Sequence, residues 1–257
     1  MSNTVKDGIS AGLATLISGI LLWLIQANAS AYVFNWWLLV LIALLIGSFV
    51  YLLIYVIRCK SLGITKILVS STKGEGSTSS YMKEANSSIC FVGIAAGKWV
   101  GKGDELEKAI RKICSLNTGY MKFLLLNPDS LAARKLSLVG SQNADFVGDK
   151  IRKSLASIEK IIERLSINYP DALNKFEIKL YDQMPVFRLT IIDNRKAYFC
   201  FYQLGYEETT LKQLVIKPKP IDNANNQNIF NSMAEYFDCL WNAPSTVAYQ
   251  LKKQSKM

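Results

Sequence analysis

ICFVGIAAGKWVGKGDELEKAIRKICS, residues 89–115, is the stretch whose reading decides the fold of the larger part of this chain. Residues 89–95 are an unbroken apolar run bounded by Ser and Gly, the pattern of a buried strand. A glycine-rich passage carrying Lys98 and Lys102 follows. Asp104 then caps a helix to about Ser115, with Glu105 and Glu107 early and Arg111 and Lys112 late, the charge order a helix dipole favours. Strand, basic glycine loop and helix start together predict an anion cradle, because free backbone amides and the dipole both favour phosphate. A tight turn with two solvated lysines is the plainer reading of the same residues. The spacing is not that of a P-loop, which needs G-x-x-x-x-G-K-[ST].

Working outward, residues 121–126 predict another strand, closed by Asn-Pro-Asp-Ser, where Asp129 or Ser130 starts a short helix. Phe146, Ile151, Leu155, Ile158, Ile162 and Leu165 share one face of a long amphipathic helix that stops before Pro170. Three strand-like runs come next, at 176–181, 187–192 and 197–204, with Asp193-Asn194 turning the last two into a hairpin. A Pro- and Asn-rich connection at 217–228 leads to a final helix from Ile229. The order predicts an α/β (α+β) domain, a mixed sheet flanked by helices.

Ahead of this, residues 8–57 contain no Asp, Glu, Lys or Arg. A transmembrane helix needs about 20 mostly apolar residues, and the polar interruption at 26–32 divides the run into spans at about 8–25 and 33–57. The expectation is a membrane α-hairpin over residues 1–60, a connector over 61–87, whose Ser- and Gly-rich part reads as a mobile loop, and a sensor domain over 88–257. Lys6, Arg58, Lys60 and Lys66 flank the spans and the loop between them has no cation. That predicts a multi-pass protein of the inner or cell membrane with N-terminus and C-terminal domain cytoplasmic. Thr15, Ser18 and Gln26 lie on one face of the first span. Either small and polar residues pack two helices closely there, or the face lines a water-filled path in an oligomer.

The chain carries 30 Lys plus Arg against 20 Asp plus Glu, a formal charge of +10, and most of it follows the spans. Nucleotides, nucleic acid and the lipid surface are the anionic partners this balance suggests. There is no histidine, which excludes a Ser-His-Asp triad, a Cys-His dyad and an H-E-x-x-H zinc site. The five cysteines, far apart and never in C-x-x-C spacing, read as reduced thiols, mostly buried. No cofactor or metal is expected.

The runs at 89–95, 123–129, 187–194 and 236–241 together resemble the phospholipase D-like superfamily, especially its divergent regulatory members. The catalytic signature of that family is H-x-K-x-x-x-x-D, and in register this chain reads Val186-Phe-Arg188-Leu-Thr-Ile-Ile-Asp193. Valine replaces the histidine and cannot act as nucleophile or general acid. Arg188 keeps a cation where the lysine would meet phosphate, and Asp193 stands at the hairpin turn. The resemblance implies a phosphodiester-shaped pocket without chemistry, in a fold commonly used in two copies, hence a homo-oligomer, dimer or tetramer.

The ligand-binding set expected from these readings is Lys98, Lys102, Arg188 and Asp193, and the pore-lining set is Thr15, Ser18 and Gln26. The expected function is non-enzymatic. A membrane-anchored receptor-effector binds a nucleotide or short nucleic acid and gates an oligomeric pore, a plan similar to two-span membrane effectors of bacterial anti-phage signalling. A membrane-anchored scaffold that recruits a protein partner without a small ligand is the alternative.

Overall fold

The computed structural model describes residues 18–19, 22, 36–68, 74–140, 143, 145–169, 174–202, 212–218 and 228–251. The chain divides into two compact units, Met1–Val56 and Ile57–Met257.

In the first unit, helix α1 (Trp36–Ser61) begins. It carries leucine, isoleucine and aromatic residues all round, and its apolar window Val40–Ile57 is nowhere buried. Leu44 is 66% and Tyr51 70% exposed. A helix apolar on every side and uncovered by protein has the length and surface of a membrane span. It is the one helix among the described residues that does. Ser48 donates to the carbonyl of Leu45 at 2.8 Å, so its hydroxyl is satisfied within the helix. The expected first span, with Thr15, and the loop containing Gln26 lie outside the described residues, apart from Ser18, Gly19 and Leu22. Ser18, Gly19 and Leu22 are helical.

The second unit is built on an eight-stranded mixed sheet. In chain order its elements are β1 (Ile64–Leu68), a 3-10 turn (Gly74–Gly76), α2 (Thr78–Glu84), β2 (Ser88–Gly93), α3 (Gly97–Val100), α4 (Gly103–Cys114) and β3 (Tyr120–Leu126). Then come α5 (Leu131–Gly140), α6 (Phe146–Asn168), β4 (Phe176–Tyr181), β5 (Phe187–Ile192), β6 (Lys196–Phe201), β7 (Gln213–Ile216), α7 (Ile229–Trp241) and β8 (Val247–Ala248). The sheet order is β1-β7-β6-β5-β2-β3-β4-β8. Crossovers through helices make β2, β3 and β4 parallel, and β5, β6 and β7 form an antiparallel meander alongside β2.

Strand β2 is buried along its whole length, as its continuous apolar run requires. On one face Trp99, 1% exposed, sits edge-on to Phe91 and Phe123 at 5.3 and 5.0 Å, and Tyr81 packs on Tyr198 at 4.4 Å. Helix α7 covers the other face, where Tyr236 meets Phe187 at 4.9 Å and the ammonium groups of Lys122 and Lys179 lie over the Trp241 ring.

Several expectations change. Residues 61–87 do not form a plain connector: β1 pairs antiparallel with β7, and Ser77 caps α2 by accepting from the Ser80 amide at 3.2 Å. Tyr81 and Met82 of α2 are buried, so the hydroxyl-rich segment is fastened by two core residues. Gly63, at φ +87°, makes the tight entry to β1, where a Cβ would meet the Lys217 carbonyl at 2.6 Å. The N-cap of α4 is Lys102, without a side-chain bond, so Asp104 acts within the first turn rather than as the cap. Cys90, Cys114 and Cys200 are buried, whereas Cys239 is exposed on α7.

An ionic knot anchors α2 to the sheet. Lys196 on β6 reaches Glu84 at 2.8 Å and Glu75 at 2.9 Å, Tyr198 donates to Glu84 at 2.8 Å, and Lys66 on β1 holds Glu75 at 2.8 Å. Burial alone would lower the Lys196 pKa, but the bonds to Glu84, Tyr198 and Glu75 outweigh it and raise the value above its usual range.

Candidate functional site

Strands β2 and β5 run side by side with Phe91 opposite Thr190 and Val92 opposite Leu189. Side chains alternate along a strand, so Arg188 and Thr190 share the face on which Trp99 and Tyr81 lie. Arg188 is only 7% exposed. Tyr81 beside it donates to the Gly76 carbonyl at 2.7 Å and accepts from Gln213 at 2.6 Å. Burial raises the Tyr81 pKa, with the Arg188 charge the foremost opposing influence.

Above this floor the chain leaves β2 and makes the short helix α3, pinned by the buried Trp99 and by Thr78, whose hydroxyl donates to the Lys98 carbonyl at 3.1 Å. Part of the expected cradle of free amides is closed. The amides of Trp99, Val100, Gly101 and Lys102 are bonded to carbonyls of Ala96, Gly97 and Trp99, which closes the turn on itself. The side chain of Lys98 stands on the cleft that this segment borders.

Helix α6 supplies the opposite wall with Lys150, Lys153, Ser154 and Ser157. The hydroxyls of Ser154 and Ser157 donate to the carbonyls of Lys150 and Lys153 at 2.9 and 2.8 Å. Between these walls lies a cleft of about 410 Å³. Lys98, Lys150, Lys153 and Arg188 line it and no carboxylate does. With the two serine protons engaged by the backbone, those four cations are its strong donors, an arrangement suited to an anion.

The four expected ligand residues fall in three places. Lys98 and Arg188 line this cleft together. Lys102 lines an adjoining one, with Lys160, Arg164, Asp104 and Glu105. Asp193 lies at the far end of β5 and lines neither. Its carboxylate accepts from the amides of Asn86, Ser87 and Ser88 at 2.9, 2.7 and 2.8 Å and from the Ser87 hydroxyl at 3.0 Å. Burial raises its pKa, yet these bonds prevail and leave it below the ordinary 3.8. Four donors from its own chain occupy the group, and Asp193 and Asn194, both at φ 51°, form the hairpin turn. Val186, 57% exposed, is not among the lining residues.

Lys150 and Lys153 were not anticipated. Their signal in the sequence is their spacing: they stand three apart on the polar side of an amphipathic helix. Among the described residues no group of Cys, Asp and Glu is placed to hold a metal ion.

No family model and no curated protein sequence matches this chain. Among solved structures it is similar to TrmBL2, an archaeal chromatin protein that binds DNA, at 14% identity and a TM-score of 0.43 over 93% of this chain and 65% of that one. It is also similar to phosphatidylserine synthase of Haemophilus influenzae Rd KW20, at 9% identity and a TM-score of 0.45 over 73% of this chain and 41% of that one. The chain thus spans less than two thirds of the length of either.

Proposed function

We propose that this chain is a membrane-anchored receptor that binds a phosphate-bearing ligand of the nucleotide or oligonucleotide class without turning it over. The observation that carries this is the cleft between α3, α6 and β5, with four cations and no carboxylate on its walls. A concave site of this size, part apolar and with a few convergent charges, suits a small anion better than a flat partner. Absence of turnover rests on the sequence: there is no histidine, and valine stands at the position of the catalytic one in the resembled signature.

The effector end of the proposal is the two-span hairpin, with α1 as its second span. Occupancy of the cleft changes how the hairpins of a homo-oligomer pack and opens or closes a leak at the cell membrane, as in anti-phage effectors. A second reading, the scaffold, draws on exposed apolar residues at the ends of β5 and β6: Val186 at 57% and Phe201 at 61%.

The test is calorimetry on the full-length protein in detergent at low salt, with ATP and a short single-stranded oligonucleotide as probes. Binding is expected, weakened by Lys153→Ala and by Arg188→Gln, unchanged by Lys135→Ala on α5, and unaccompanied by hydrolysis. Silence from both probes hands the function to the scaffold reading, and steady phosphate release makes the protein an enzyme.

A further inference from the structure

The two clefts that border α3 adjoin. They share Val100 and Ser157, and α6 forms a wall of both. Along that helix the lining residues are Lys150, Lys153, Ser154 and Ser157 in the first cleft and Ser157, Lys160, Ile161 and Arg164 in the second. Their spacing of three and four keeps them on one helix face. Lys98 and Lys102 stand on the opposite side, one in each cleft. The fourteen steps from Lys150 to Arg164 at 1.5 Å each give about 21 Å of cation-lined wall.

We infer that the two clefts act as one groove holding a stacked single-stranded oligonucleotide laid along α6, rather than a mononucleotide; this rests on the phosphate-binding reading above. At about 3.4 Å per phosphate in a stacked strand, 21 Å accommodates on the order of six phosphates. The charge is graded. The first cleft has four cations and no acid, whereas the second opposes Lys102, Lys160 and Arg164 with Asp104 and Glu105. Glu105 accepts from the Ser79 hydroxyl, and Arg164 is paired with Glu107 at 3.2 Å. Carboxylates in the second cleft repel a bare polyphosphate chain but accept the amino donors that base edges carry. Trp99, Phe91 and Tyr81 are at most 2% exposed, so no aromatic platform in the first cleft faces the strand. Binding is therefore mainly electrostatic, with steep salt dependence, and any base preference is confined to the amino-bearing bases that meet Asp104 and Glu105.

The experiment is fluorescence anisotropy on the full-length protein in neutral-lipid nanodiscs. Labelled strands of one to eight nucleotides are titrated at several salt concentrations. Inorganic triphosphate, long-chain polyphosphate and vesicles containing phosphatidylserine serve as competitors. Affinity should climb with length and level off near six nucleotides. Lys102→Ala and Lys160→Ala, both at exposed residues that leave the fold intact, should each weaken the six-nucleotide strand about fivefold and lower its salt slope by about 0.7. Neither should alter competition by triphosphate, which Lys153→Ala should impair. Asp104→Asn should improve competition by polyphosphate. A mononucleotide that binds as tightly as the longer strands overturns the inference while the receptor reading stands, and so does a Lys160→Ala variant indifferent at every length. Polyphosphate competing as well as the strand assigns the groove to a bare phosphate chain, and vesicles competing better assign it to lipid headgroups; both outcomes overturn the strand. If triphosphate and all strands fail to bind, the receptor reading falls with it.

Discussion

The two ends of strand β5 carry one charge each, five residues apart, and put them to opposite uses. Arg188 is buried beneath a cleft whose walls add three more cations. Asp193 is turned back on its own chain and saturated by three amides and a hydroxyl of residues 86–88. A sequence motif gives the spacing of two such groups but not whether donors from the same chain have already claimed them. That depends on which backbone lies alongside, here the start of β2.

Breaking the fold end should produce the largest effect. Asp193→Ala strands the amides of residues 86–88 and places alanine at a φ of 51°, so a loss on the order of 3 kcal/mol is expected, about 6–12 °C in melting temperature. Thermal unfolding in detergent checks it, and a shift under 2 °C would show the carboxylate to be dispensable. Breaking the cleft end should reverse the pattern. Arg188→Gln should leave melting nearly in place and weaken ATP or oligonucleotide binding by about 2 kcal/mol, roughly 30-fold, in a calorimeter.

Acid sharpens the contrast further. Asp193 has a folded pKa below its ordinary 3.8, so its contribution is fully present above that value and drains away as pH falls through the folded one. Glu75, lowered from 4.5 chiefly by its bonds to Lys66 and Lys196, behaves alike. Stability of the wild type should fall more steeply below pH 4 than that of Asp193→Asn; parallel acid-denaturation curves would contradict this. The subtlest probe is Cys90, opposite Ile191 between the two ends. Burial pushes its thiol up to about 12, so iodoacetamide at pH 8 should miss it in the wild type and in Arg188→Gln. It should begin to react in Asp193→Ala, as read by mass spectrometry, with exposed Cys239 as the internal standard.

How much of this was legible follows from how local each signal is. The apolar runs of β2, β3, β4 and β5 and the stripe of α6 are written within single segments, and the Asp193-Asn194 hairpin is written in two residues. Helix α2 escaped because only Tyr81 and Met82 betray it among serines and threonines, and β8 because two residues carry no period. The sheet order was beyond reach: β1 pairs with β7, and nothing in residues 64–68 names a partner so far along the chain. Of the residues that line the cleft, Lys98 stands in a glycine-rich turn and Arg188 in a degenerate motif, both visible in the sequence. Lys150 and Lys153 escaped because the polar side of a helix looks alike whether it faces solvent or a cleft.

The position of β1 also sets a clock. Thr65 bonds to the carbonyl of Val215, 150 residues later. At synthesis rates of about 5–20 residues per second, β1 leaves the ribosome roughly 8–30 s before its partner exists. For that interval a short strand carrying Ile67, 64% exposed in the finished fold, has no neighbour on the sheet edge it will occupy. Lys66 in its middle gives the nascent chain the kind of charge that discourages pairing with the wrong strand.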